Sequence, residues 1–119
     1  MAKRRFYSLS RYKDKQDGSM KCGYLPREGE AVSNVFSLAL SVYRATDSSA
    51  ATNWEEVKTW FVVDEDCGLS VASGGTKKEA ISRALEILEK VDMELYKRKR
   101  EKSLETYGPI PGHKVFYLH

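Results

Sequence analysis

The spacing of apolar residues is most regular between residues 57 and 102, where it changes from a strand pattern to a helical one. Residues 57–63 and 69–73 are short apolar runs of the kind that form strands. The acidic segment 64–68 between them ends in glycine and predicts a turn. The pattern therefore predicts a β-hairpin that leads directly into a helix.

The predicted helix follows Gly74-Gly75 and extends from residue 77 to about residue 102. Thr76, with Glu79 three residues later, matches a capping box, in which side chains satisfy free backbone N–H groups at a helix start. At 1.5 Å per residue this helix would be roughly 39 Å long. An apolar stripe and three charge pairs four residues apart support one amphipathic helix. The stripe is Ile81, Ala84, Leu85, Leu88, Val91 and Leu95, and the pairs are Glu79–Arg83, Glu86–Lys90 and Glu94–Arg98.

Two further strands are predicted near the N-terminus. Residues 5–12 are rich in aromatic residues and serine and favour a strand, and residues 20–25 favour a short partner strand that ends at Pro26. The polar segment 13–19 between them predicts a connection. Alternation along the first strand places Arg5, Tyr7, Leu9 and Arg11 on one face, and Phe6 and Tyr12 on the other.

Residues 31–45 fit two patterns. Their apolar residues can form a helical stripe, yet residues 36–42 also alternate as in a half-buried strand. Serine and β-branched residues are frequent between Val32 and Val42, and both types are poor in helix interiors, so a strand is favoured. The Ser-, Thr- and Ala-rich segment 46–53 then predicts a loop.

These elements predict an α+β fold, an antiparallel β-meander packed against one long C-terminal amphipathic helix. A chain of 119 residues is long enough for one domain with its own core. We expect a single domain over residues 1–119, with a basic N-terminal segment at 1–15 and an extended C-terminal tail at 104–119, where two prolines prevent a helix. No signal peptide or membrane span is apparent, and the two cysteines, Cys22 and Cys67, suggest reduced thiols, so a cytoplasmic protein is expected.

The charges are unevenly distributed. Residues 1–27 carry a net +6, residues 28–96 a net −7 and residues 97–119 a net +4, within an overall charge of +3. Such asymmetry suggests a polyanionic partner such as nucleic acid, although a basic end can equally be a solubilising arm.

Catalytic patterns are not apparent. The carboxylates of Asp64, Glu65 and Asp66 are consecutive, so they would point in different directions, and a solvated turn is favoured over a metal site. His113 and His119 have no cysteine nearby, and no nucleophile or phosphate-loop motif occurs. We therefore expect a protein that is not an enzyme and that needs neither a cofactor nor a metal.

The first candidate nucleic-acid-binding segment combines cations with aromatic rings, which together can hold phosphates and stack unpaired bases. An equally weighted alternative is an edge strand whose charges prevent pairing with other sheets, while its aromatic residues lie in the core. The candidate residues are Lys3, Arg4, Arg5, Tyr7, Arg11, Tyr12 and Lys13.

The second candidate segment is the run Lys97, Arg98, Lys99 and Arg100, together with Lys102. Cations in a last helical turn are also favoured by the helix dipole, whatever the function. Near the C-terminus, Val115, Phe116 and Tyr117 are candidate partner-binding residues. They either dock on the protein's own sheet or add as a strand to a second copy, giving a homodimer, or to another protein.

Residues 60–71 and 75–85 together resemble HicB-like antitoxin domains and small modules of phage and conjugative-element proteins. The shared features are a strand, an acidic turn and a second strand that lead into a helix capped by Gly-Thr. The resemblance covers about a third of the chain and lacks the third strand between hairpin and helix that HicB-like domains have. It implies a role in binding protein or nucleic acid within a mobile element.

The expected function is that of a non-enzymatic accessory protein, of phage or plasmid type, which binds nucleic acid or a nucleoprotein through its basic ends. The alternative is a protein-directed inhibitor or antitoxin that binds through its acidic middle or its C-terminal segment. Salt-sensitive affinity for nucleic acid would indicate the first, and a salt-tolerant protein complex the second.

Overall fold

A computed structural model of the chain describes residues 3–13, 17–44, 59–108 and 110. Its five strands form one antiparallel sheet in the order β1-β2-β3-β4-β5, and two helices follow, so the predicted α+β class and the meander are confirmed. None of the helices in this described part is long and apolar enough to cross a membrane. The elements are β1 (Lys3–Lys13), β2 (Met20–Val32), β3 (Leu40–Arg44), β4 (Trp60–Asp64), β5 (Ser70–Gly74), α1 (Lys77–Lys90) and α2 (Met93–Tyr107).

Helix α1 covers one face of the sheet. Its buried residues, Ala80, Ala84 and Leu88, recur every four positions and pack on apolar side chains of the central strands. Burial of a side chain such as Leu88 contributes about 1.5–3 kcal/mol. Of the predicted stripe, Ala84 and Leu88 are buried in this core and Ile81 and Val91 pack against it, whereas Leu95 is 53% exposed. The sheet side of this core is formed by Val32, Leu40, Val42 and Val62.

The prediction of one long helix is wrong, because the chain breaks between α1 and α2. Val91 is extended and its N–H donates to the carbonyl of Ile87, while the Asp92 carboxylate accepts the N–H of Glu94 and caps α2. An aspartate at this position competes with the helical hydrogen bonds and starts a new helix. Helix α2 ends at Tyr107, so residues 104–107, expected in an extended tail, are helical.

Strand β2 continues through Pro26, where the sequence predicted its end. Pro26 lies opposite Tyr7 of β1, whereas β3 pairs with β2 only at residues 30–32. A proline is tolerated in such a strand because no other described strand pairs with that side of β2 at this point. The ambiguous segment 31–45 contains the end of β2, a loop and β3, so the strand interpretation was the better one.

The other face of the sheet has an aromatic core. The rings of Phe6 and Tyr43 meet edge to face with centroids 5.8 Å apart, and Tyr43 stacks on Phe61 at 5.6 Å. The long β1–β2 ribbon passes so close to β3 at Gly29 that a Cβ atom at this position would overlap the carbonyl of Val42. The absence of a side chain at Gly29 therefore allows this close approach.

Candidate nucleic-acid interface

The acidic turn after β4 is mostly buried. Asp64 is completely buried and Glu65 is 5% exposed, while Asp66 is half-buried. Gly68 ends the turn with a positive φ of 77°, and its N–H donates to the Asp64 carbonyl over 2.7 Å. The prediction of a solvated turn is therefore wrong.

Asp64 is buried between the sheet and α2. One carboxylate oxygen, Oδ2, accepts a hydrogen bond from the Tyr96 hydroxyl at 2.7 Å and lies 3.3 Å from Nε of Arg100, while Oδ1 accepts the Asp66 N–H at 3.0 Å. Burial raises the pKa of Asp64, against the opposing effects of Arg100 and these hydrogen bonds. Burial and the neighbouring carboxylate also raise the pKa of Tyr96, which therefore donates its proton.

Glu65 connects the turn to strands β1 and β3. Its carboxylate accepts a hydrogen bond from Ser41 at 2.6 Å and one from Nη2 of Arg4 at 2.8 Å. The hydrogen bond to Glu65 raises the pKa of Arg4 further above its ordinary value. The side chain of Arg4 is half-exposed.

Arg100 joins α2 to the same turn. Its side chain is only 12% exposed, and its Nη2 donates to Asp66 at 3.0 Å. Burial lowers the pKa of Arg100, but Asp64 and the other nearby groups raise it more, so the guanidinium stays charged. Arg100, the last cation of the predicted basic run, is therefore an ion-pair partner of the acidic turn.

A small apolar cluster fixes β1 beside this turn. The N–H of Leu9 donates to the Gly68 carbonyl over 2.7 Å, and the Tyr24 hydroxyl donates to the Gly108 carbonyl over 2.8 Å. Buried side chains from the turn, α2 and the following segment complete the cluster, against which Tyr7 packs. They are Cys67, Leu104 and Ile110.

The structure thus divides the predicted nucleic-acid-binding residues into two groups. Arg4 and Arg100 are paired with carboxylates, and Tyr7 is half-buried in the apolar cluster. The other described cations are exposed, and in the described part of the chain no carboxylate lies within ion-pair distance of them. They are Lys3, Arg5, Lys97, Arg98, Lys99 and Lys102.

Some predicted residues lie partly or wholly outside the described part of the chain. The backbone of Arg11, Tyr12 and Lys13 belongs to β1, but their side chains lie outside the described structure. The C-terminal candidates and both histidines lie outside the described residues, as does the predicted loop at 46–53. These C-terminal candidates are Val115, Phe116 and Tyr117.

Two of the three predicted charge pairs on the helices form. Glu79 pairs with Arg83 and Glu86 with Lys90, at 2.8 and 3.2 Å, whereas Glu94 and Arg98 make no such contact within the described helices. Arg98 is consequently one of the exposed cations. Within the described ranges, no three metal-binding side chains come together.

The roles of Ser41 and Tyr96 and the burial of the acidic turn were not predicted from the sequence. One signal was present, because the three carboxylates lie between apolar residues on both sides, Val62-Val63 and Cys67 to Leu69. Carboxylates so placed are readily buried when cations elsewhere in the chain reach them. The excess of cations at both ends of the chain supplied such partners.

Comparison with known proteins identifies no relative. No protein-family model matches the chain, and neither a curated protein nor a solved structure is significantly similar to it.

Proposed function

We propose that this protein is a non-enzymatic nucleic-acid-binding protein that holds the phosphate backbone with exposed cations of β1 and α2. One observation carries the proposal: both basic segments are attached to the same acidic turn, through Arg4 to Glu65 and Arg100 to Asp66. Segments that are about 90 residues apart in the sequence are thereby attached to one turn. Their remaining cations are available to a common polyanion.

The ion pairs that the carboxylates of the acidic turn form with cations support this proposal. An acidic turn in solvent would repel phosphates, but Asp64 and Glu65 are buried and each has a cationic partner. The exposed cations beside them can therefore attract an anion with little opposition from the turn. On α2 three of the exposed cations are consecutive, namely Lys97, Arg98 and Lys99.

Binding measurements over a range of salt concentrations test the proposal. We expect DNA or RNA oligonucleotides to bind at low salt, with log affinity falling linearly against log salt. Replacing Lys97, Arg98 and Lys99 by glutamine should reduce that slope by about 0.7–0.9 for every phosphate that the variant no longer neutralises. Fluorescence anisotropy of a labelled oligonucleotide gives the affinity at each salt concentration.

A matched triple variant on α1 provides the control. Lys78, Arg83 and Lys90 are also exposed, and their replacement by glutamine removes the same total charge. We expect the slope of log affinity against log salt for this variant to stay close to that of the unaltered protein. Equal losses in the two triple variants would mean that net charge alone drives binding, and absence of binding at low salt would refute the function.

A protein-directed inhibitor is the second candidate, and one observation favours it. Val35 is 91% exposed at the tip of the β2–β3 loop. The Asn34 side chain fixes this loop, since it donates to the carbonyls of Val32 and Leu38 and accepts the N–H groups of Phe36 and Leu38. A rigid loop that presents an apolar side chain suits contact with another protein. A complex that survives high salt and is lost in Val35→Asp would support this candidate.

The mobile-element context also stays a proposal. The unit of β4, β5 and α1 is the part of the chain that resembles HicB-like antitoxin domains. A toxin or nucleoprotein that copurifies with the protein from its native host, with and without nuclease treatment, would distinguish the two candidate functions.

A further inference from the structure

A cavity of about 330 Å³ lies on the face of the sheet that carries α1, where four strands contribute to its lining. Strand register places Lys3 opposite Glu30 and Arg44 opposite Trp60, so residues of β1 to β4 come together there. Trp60 is half-buried and forms the aromatic part of the lining. The residues that matter for its chemistry are Lys3, Glu28, Glu30, Arg44 and Trp60.

Some polar groups of this cavity already form an ion pair with a described residue, and others do not. Lys77 of α1 donates to Glu30 at 2.7 Å, and this hydrogen bond lowers the pKa of Glu30. Lys3, Glu28 and Arg44 are exposed, and none of them has an ion pair with another described residue. Among the described residues, one carboxylate and two cations of this lining therefore have no ion-pair partner and lie beside Trp60.

We propose that this cavity binds one unpaired base of a single-stranded nucleic acid, stacked on Trp60. The Glu28 carboxylate accepts a hydrogen bond from the exocyclic amino group of the base, and Lys3 and Arg44 contact the flanking phosphates. Stacking on an aromatic side chain beside cations is a common mode of single-strand recognition. The inference rests on the proposed nucleic-acid-binding function and assigns its substrate class.

The need for a hydrogen-bond donor gives the site a base preference. Cytosine, adenine and guanine carry exocyclic amino groups, whereas thymine carries none. A carboxylate accepts hydrogen bonds and, when ionised, cannot donate them. Glu28 should therefore favour cytosine, adenine or guanine over thymine.

A second cavity, of about 530 Å³, adjoins the first at Glu28. Its lining includes Arg5 and Tyr7 of β1 and Pro26 of β2, so it again combines a cation with an aromatic ring. A strand that places one base on Trp60 can continue into this cavity with the next nucleotide. The phosphates of that nucleic-acid strand then lie along the face of β1 that carries Lys3 and Arg5.

The fluorescence of Trp60 tests the proposal directly. The chain has two tryptophans, so Trp54→Phe leaves Trp60 as the sole emitter. Titration of this variant with short oligomers of deoxycytidine should quench the emission, with an affinity about tenfold higher than for oligomers of thymidine. Anisotropy of a labelled oligomer measures binding independently of the tryptophan.

Two sets of variants examine the roles of the lining residues. Glu28→Gln should reduce the preference for deoxycytidine to nearly onefold, since an amide also donates to thymine, while the exposed control Glu89→Gln should retain it. Lys3→Gln combined with Arg44→Gln should weaken binding of both oligomers about equally. Both positions are exposed, so the fold should be preserved.

The outcomes separate this inference from the proposed function. Quenching together with the base preference supports the site. If oligomers bind but leave the Trp60 emission unchanged, or bind with no preference that depends on Glu28, the site is refuted and the function stands. If no oligonucleotide binds at low salt, both are refuted.

Discussion

Arg100 of α2 lies against Asp64 at the end of β4, with its Nε atom 3.3 Å from Oδ2 of a completely buried carboxylate. The same guanidinium donates through Nη2 to Asp66. This contact fixes α2 to the sheet across the break that separates it from α1. Arg98, two residues earlier on the same helix, is exposed and makes no such contact with described residues.

We predict that Arg100→Ala lowers the free energy of unfolding by about 3–5 kcal/mol, because it leaves the Asp64 carboxylate buried without its cation. Urea unfolding of the purified variant measures this loss. The matched variant Arg98→Ala should change stability by less than about 0.5 kcal/mol, as is usual for an exposed position. Similar losses in both variants would contradict a specific role for Arg100.

The same pair predicts a pH dependence. Burial raises the pKa of Asp64 above the ordinary value of 3.8, so ionising it costs stability in the folded protein. That cost is absent well below pH 3.8, grows as the pH rises, and is complete above the folded pKa. Removal of Arg100 raises this pKa further. The stability deficit of Arg100→Ala should therefore be smaller at about pH 4 than at pH 7, and a constant deficit would argue against an ionised Asp64.

The close approach at Gly29 gives a second kind of prediction. Gly29→Ala should destabilise the protein by about 1–3 kcal/mol, because the new methyl group overlaps the Val42 carbonyl and forces the backbone to move. Gly75→Ala is the control, since nothing lies within 4 Å of a Cβ atom at that position. Thermal unfolding of both variants checks the difference, and equal melting temperatures would contradict the close approach at Gly29.

The start of α1 is predicted to depend on one hydroxyl group. The Thr76 Oγ1 accepts the N–H of Glu79 at 3.1 Å, whereas the Glu79 carboxylate pairs with Arg83. Thr76→Ala should therefore cost about 1 kcal/mol of stability, and Thr76→Ser should cost little because it retains the acceptor. An unchanged midpoint of unfolding for Thr76→Ala would show that the cap contributes nothing.

Cys67 is predicted to be unreactive in the folded protein. It is completely buried, and burial raises its pKa to about 12, so its thiolate is scarce at neutral pH. In a Cys22→Ser variant, a thiol reagent at about pH 8 should modify Cys67 at least a hundredfold more slowly in buffer than in denaturant. Rapid modification of the native protein would mean that the cluster around Cys67 opens readily.

Short-range features of this protein were predictable from the sequence alone. The strands around the acidic turn, the cap at Thr76 and the preference for strand near Leu40 depend on neighbouring residues, whose spacing and conformational preferences are written in the chain. The break at Asp92 also depends on neighbouring residues, but the apolar pattern continues across it and so predicted one uninterrupted helix. The course of β2 through Pro26 depends on which strands lie beside it, and among the described strands only β1 pairs with it there, which no local pattern predicts.

The sequence by itself determined an α+β domain with basic ends and an acidic middle, because class and charge follow from pattern and composition. Only the tertiary structure decided which cations remain exposed. Arg4 reaches Glu65 across 61 residues and Arg100 reaches Asp66 across 34. A basic run has the same spacing whether it faces water or a buried carboxylate, so only the packing of β1 and α2 on the turn separates the paired cations from Lys97, Arg98 and Lys99.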